Sequence, residues 1–133
     1  MGKNKAALKQ MIDFVQAVNP HFNTMITYYF LEISAKYGVR GDIAFCQSIH
    51  ETNWFLFGGD VKPEQNNFAG IGATGGVPGH SFSTMEEGIT AQMQHLFAYA
   101  TANPLPQGEK QADPRFHLVT RGSAPNWEDL SGK

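Results

Sequence analysis

A chain of 133 residues with 41% apolar and 12% aromatic side chains is the size of one domain and can bury a real core. Its formal net charge of −2 and sequence pI of about 6.2 lack the basic footprint of a nucleic-acid binder. The single cysteine, Cys46, rules out an intrachain disulfide and a cysteine metal cluster, and no apolar run is long enough to span a bilayer.

The segment Met1 to Phe14 is charged and amphipathic, without the apolar stretch and cleavage site of a secretory signal. Leu8, Met11, Ile12, Val15 and Val18 are spaced for one face of a first helix over Lys5 to Val18, which Asn19-Pro20 ends. A second helix, Thr24 to Tyr37, carries Ile26, Phe30, Ile33 and Tyr37 on one side and stops at Gly38. A third runs from Asp42, a cap or first-turn residue, to about Trp54, with Ile43, Gln47, Glu51 and Trp54 near one face. Ala44, Phe45, Cys46 and Ile49 supply its apolar surround, which makes Cys46 a buried structural thiol.

Residues Phe57 to Ser83 are rich in glycine and poor in helix formers. They predict an irregular lobe with two short extended pieces, Phe68 to Ala73 and His80 to Ser83, around the turn-forming run GATGGVPG. Thr84 and Glu87 form a capping-box pair that opens a long helix, Met85 to Thr101, with Ile89, Met93, Leu96 and Ala100 inward. Short helices are expected at Pro114 to Val119 and Asn126 to Leu130, with Trp127 packed back on the core. The fold class is mostly α: a helical lobe, a small irregular β lobe inserted after the third helix, and a cleft between them.

Glu51 is the candidate acid. Near the end of a helix it faces the negative end of the macrodipole, and flanking Trp54 and Phe55 would desolvate it; both disfavour its charged form. A glutamic acid kept protonated is what glycoside hydrolysis needs to protonate a leaving oxygen. The alternative from position alone is a solvated helix-end glutamate. His50-Glu51 does not open a zinc helix, because position 54 is Trp and not His, and His21, His80, His95 and His117 have no ligand spacing. No metal and no cofactor is expected. Gln47, Trp54, Asn67, Phe68 and Tyr99 are the candidate substrate-binding residues: aromatics stack on sugars, and amides bond hydroxyl or acetamido groups. For Asn66 and Asn67 the competing reading is a loop held by its own side-chain-to-backbone bonds.

The blocks YGVRGDIAFCQSIHETNWF, NNFAGIGATGG, EEGITAQMQHLFAYA, DPRFHLV and APNWEDLSGK occur in that order over Met25 to Lys133. They resemble the bacterial and phage endo-β-N-acetylglucosaminidases of glycoside hydrolase family 73, the clostridial and phage lysin type. The most specific part is Ala44, Gln47, Ser48, Glu51 and Phe55 followed by Asn66-Asn67-Phe68-x-Gly70-Ile71. The resemblance implies a lysozyme-like α lobe and a peptidoglycan hydrolase that cuts between N-acetylglucosamine and N-acetylmuramic acid, with Glu51 as general acid. It implies one catalytic domain over 1–133, a fragment of a longer modular protein. It further implies a monomer acting on the bacterial cell wall, released as phage lysins are or exported without a cleaved signal, with no nucleic-acid or membrane partner. Rival readings are a lytic transglycosylase or muramidase, or a non-catalytic glycan-binding domain. Many relatives carry a second acid on a longer hairpin; here Thr74 to Ser83 has none, and the usual Arg-Tyr pair is Arg115-Phe116. Asp60 and Glu64 are the remaining candidates for a second carboxylate. The substrate's own acetamido group is the alternative nucleophile.

Overall fold

The computed structural model describes residues 7–57, 63–71 and 79–130. These residues are mostly helical: α1 (Leu8–Gln16), α2 (Met25–Tyr37), α3 (Gly41–Thr52) and α4 (Met85–Ala100), with 3₁₀ turns at Pro63–Gln65, Phe116–Leu118 and Trp127–Leu130. α2 packs against both α3 and α4, and α1 against α2. The inward faces are those the periodicity marks: Met11 and Val15 from α1, Ile26, Phe30, Ile33 and Tyr37 from α2, and Ile89, Met93 and Leu96 from α4 are all buried. α1 ends at Gln16, before the expected Val18, and both Val18 and Leu8, expected on its inner face, are exposed.

Two close approaches fix the helix arrangement. A Cβ on Gly41, the first residue of α3, would overlap the Ser34 hydroxyl and come 2.5 Å from the Phe30 carbonyl oxygen. Only glycine therefore lets α3 start against α2. A Cβ on Gly88, in the first turn of α4, would overlap the Asn66 carbonyl oxygen. The Asn66-Asn67 loop thus lies directly on α4.

α2 stops at Gly38, whose φ of 65° is the left-handed conformation glycine adopts without steric cost. α4 is capped by Thr84 Oγ1, which accepts from the Glu87 N–H at 3.0 Å. The Glu87 carboxylate accepts from the Ser83 hydroxyl at 2.8 Å, a variation on the reciprocal box. At its other end the Ala98 and Tyr99 carbonyls accept from the Gly122 and Ala124 N–H groups. The last turn is therefore satisfied by the chain's C-terminal wrap.

No strand occurs among the described residues, and 72–78, which hold most of the expected hairpin turn, lie outside them. Two backbone bonds join the loop arms, His80 N–H to Ile71 C=O at 2.9 Å and Phe82 N–H to Gln65 C=O at 2.7 Å. Side-chain amides take the place of a ladder. The Asn67 amide donates to the carbonyls of Ile71 and His80, both at 3.0 Å, and the Asn66 amide to that of Phe82 at 3.1 Å. A loop stitched by side chains has no need of regular strand pairing.

Candidate active site

α3 delivers Glu51 in its last turn, one residue before its end at Thr52, and the chain then leaves along a strained path. Asn53, Trp54, Phe55 and Phe57 all have positive φ, 50° to 64°. Each costs on the order of 1 kcal/mol for a non-glycine residue. Thr52 offsets part of this: its hydroxyl donates to the Ser48 carbonyl at 2.6 Å and accepts from the Phe55 N–H at 2.9 Å. The Asn19 amide holds the Trp54 carbonyl at 3.1 Å. Phe55 drops into an aromatic core with Phe22 and Phe45, at centroid distances of 4.9 and 5.3 Å.

This exit turns the flanking aromatics away from Glu51. Trp54 packs on Phe14 of α1 at 5.1 Å, on the side of α3 that also carries Cys46 and His50, while Phe55 is core. The desolvation expected from both rings therefore does not reach the carboxylate, and Glu51 is exposed. Cys46 is exposed as well, a correction to its reading as a buried thiol. It is nonetheless partly desolvated, and this, followed by the Asp42 carboxylate nearby, pushes its pKa up.

Glu51 stands instead against the loop wall. A Cβ built on Gly70 would lie 3.5 Å from Glu51 Oε2. That distance is an ordinary van der Waals contact, and it is the φ of 67° at Gly70 that favours glycine there. Beside this point opens a cleft of about 250 Å³, lined by Gln47 one turn before Glu51, by Gly70 and Ile71 of the loop, and by Tyr99 and His95 of α4. Gln92 also reaches it, but both ends of its amide are engaged, with the Ser48 hydroxyl and the Ala44 carbonyl.

The structure thus lines one cleft with Gln47 and Tyr99, sets Glu51 beside it against Gly70, and leaves the other candidates elsewhere. Asn67 is 1% exposed, and its carbonyl oxygen accepts from Ile71 N–H while its amide holds two carbonyls; it builds the wall from inside. Phe68 is buried and anchors the loop to Phe30 and Phe55. Trp54 lies on the Phe14 side, carried there by the left-handed backbone after α3. Glu64 is exposed in the Pro63–Gln65 turn, and Asp60 falls outside the described residues. Among the described residues no group of three His, Cys, Asp or Glu could hold a metal, and no helix is long and apolar enough to cross a membrane.

Sequence reasoning missed two cleft groups. His95 and Arg115 both line it, and His95 Nδ1 sits 2.8 Å from Asp113 Oδ2. The 18-residue separation of His95 and Asp113 matches no motif. The available signal was a histidine one turn from Tyr99 on a helix face that also carries Gln92.

The family model for glucosaminidases, described as mannosyl-glycoprotein endo-β-N-acetylglucosaminidase, matches residues 27–125. The chain is also 41% identical over 139 residues to an uncharacterized protein of Borreliella burgdorferi, an alignment covering 100% of this chain and 67% of that protein. No solved structure matches it. The match spans both α3 with Glu51 and the Asn66 to Ile71 wall: the chain belongs to the glucosaminidase family and is a glycoside hydrolase, an endo-β-N-acetylglucosaminidase.

Proposed function

We propose that this domain hydrolyses bacterial peptidoglycan between N-acetylglucosamine and the following N-acetylmuramic acid, with Glu51 as the general acid. The observation that carries the reading is the Glu51 carboxylate set against Gly70 at the edge of a cleft rimmed by Gln47, Tyr99 and Arg115. An open cleft of mixed polar and aromatic lining suits a glycan strand laid across it. The unit acts as a monomer at the cell wall, with residues 63–71 and 79–83 forming a loop wall beside its helical body.

Glu51 gives its proton to the glycosidic oxygen, and the bond from C1 to that oxygen breaks. The carbonyl oxygen of the sugar's own 2-acetamido group meets the charge at C1, and water then opens the ring so formed and returns a proton to Glu51. This route needs no carboxylate nucleophile. It is favoured because Thr74 to Ser83 contains no acid and because Glu64 sits on an exposed turn. Glu51→Gln keeps the shape and removes the proton. It is expected to lower cell-wall lysis by about 10²-fold or more while the protein stays folded. A variant that clears walls at a tenth of the parent rate would end the assignment.

A further inference from the structure

We propose that His95, its tautomer set by Asp113, is a substrate-positioning hydrogen-bond acceptor in the Glu51 cleft. Asp113 is 0% exposed and fully engaged. Its Oδ1 accepts from the Arg115 N–H at 2.9 Å, which leaves Oδ2 for His95 Nδ1 at 2.8 Å. A carboxylate can only accept, so it requires the proton on Nδ1. In the neutral imidazole the other nitrogen, Nε2, is then a lone-pair acceptor. The ring lines the cleft, and Tyr99 meets it edge-on at 5.4 Å and 84°, which fixes its plane.

A tie between α4 and the 110–115 segment would also explain a His–Asp pair. That tie already exists. Gln94, fully buried beside His95, accepts from the Ala112 and Asp113 N–H groups at 2.7 and 3.1 Å and donates to the Lys110 carbonyl at 2.7 Å. Burying a carboxylate is costly unless it is well bonded. What Asp113 adds beyond Gln94 is control over which ring nitrogen faces the cleft. Of the other cleft groups, Arg115 can only donate to a sugar, while Gln47 and Tyr99 can donate or accept. An acceptor with no proton of its own suits a sugar N–H or O–H donor, and the 2-acetamido N–H beside C1 is such a donor.

This inference rests on the glycosidase reading, and its test separates the two. In Asp113→Asn the amide oxygen can still accept from Arg115 N–H, while the amide nitrogen now donates to His95 Nδ1 and drives the proton to Nε2. The expected results are a melting temperature near that of the parent, ¹⁵N imidazole shifts reporting the exchanged tautomer, and kcat/KM on purified peptidoglycan down by about 10- to 10²-fold, the cost of one lost positioning bond plus an unpaired donor. His95→Ala should fall as far, and the double variant no further. Parental kcat/KM with the exchanged tautomer overturns the proposal, as does an Nε2–H tautomer in the parent. If Asp113→Asn does not fold, His95→Ala decides alone, and retained rate overturns the proposal. If the parent releases no sugar ends, the glycosidase reading fails separately. The same variants are then read by affinity for an N-acetylglucosamine tetrasaccharide: loss of about tenfold or more supports the acceptor, and unchanged affinity overturns it.

Discussion

Gly88→Ala adds one methyl group where the backbone of another segment already lies. The new Cβ would overlap the Asn66 carbonyl oxygen and sit 2.9 Å from its carbon, and neither is the flexible end of a side chain. Asn66 cannot yield easily. It holds a φ of 53°, its amide is bonded to the Phe82 carbonyl, and neighbouring Asn67 is locked by three bonds. α4 cannot yield either, with Ile89, Ala91 and Met93 at 0% exposure. Overpacking of this kind costs about 1–3 kcal/mol or somewhat more. For a domain of this size that lowers Tm by roughly 5–15 °C. The loop that shifts is also the one that places Gly70 against Glu51, so lysis measured well below Tm should fall about tenfold or more, since a displacement near 1 Å can cost 10²-fold. Gly108→Ala is the matched control. Gly108 has a positive φ, 84°, where Gly88 is helical, but it meets nothing within 4 Å, so the substitution should lose only about 1–2 kcal/mol and no activity. Differential scanning calorimetry and a turbidity assay on both variants suffice. Equal Tm and activity for Gly88→Ala and parent would refute the idea that the Asn66 backbone is held against α4 by close contact.

Asn67→Ala removes both halves of a buried amide, leaving the Ile71 N–H without its partner and the Ile71 and His80 carbonyls with one bond fewer, so chemical denaturation should register a loss of about 2–4 kcal/mol. Asp60→Asn and Glu64→Gln should each retain lysis within a fewfold of the parent; abolition by either, in a folded protein, would identify a carboxylate nucleophile. Burial, opposed by the bond from Gln94 and reinforced by Glu109, holds the Tyr37 hydroxyl well above its ordinary range. A raised folded-state pKa stabilises below the unfolded value and is lost above it, so Tm should fall as pH rises past about 10, and less steeply in Tyr37→Phe. Dialysis against a strong chelator should leave Tm and lysis unchanged, and activity restored by zinc would contradict the metal-free mechanism.

The helices were legible because their signals are local. Apolar spacing marked the inner faces of α2 and α4, Gly38 marked a stop, and Thr84 with Glu87 marked a start. Of the candidate site, helical period gave only the shared α3 face of Gln47 and Glu51 and the place of Tyr99 on α4. Trp54 could not be placed from sequence, because its direction follows from the left-handed turn of Asn53 to Phe55. Asn53 tolerates positive φ, but nothing in bulky Trp54 and Phe55 announces it; Thr52 and Asn19, which hold the turn there, act from elsewhere. Asn67 shows the limit of composition. The same amide reads as a sugar ligand or a loop brace until the geometry gives it Ile71 and His80 as partners. The His95–Asp113 pair depends on Gln94 folding a distant segment onto α4, a long-range contact with no periodic trace. Cys46 departs from expectation because an apolar helical run need not be covered on every side, and α1 leaves that flank of α3 open.

The most direct measurement is mass spectrometry of the ends released from purified peptidoglycan, with parent and Glu51→Gln in parallel. A glucosaminidase with Glu51 as its acid yields new reducing ends of N-acetylglucosamine from the parent, and a rate at least about 10²-fold lower from the variant. Anhydro-muramic ends, reducing N-acetylmuramic ends, or equal yields from the two proteins would contradict that assignment.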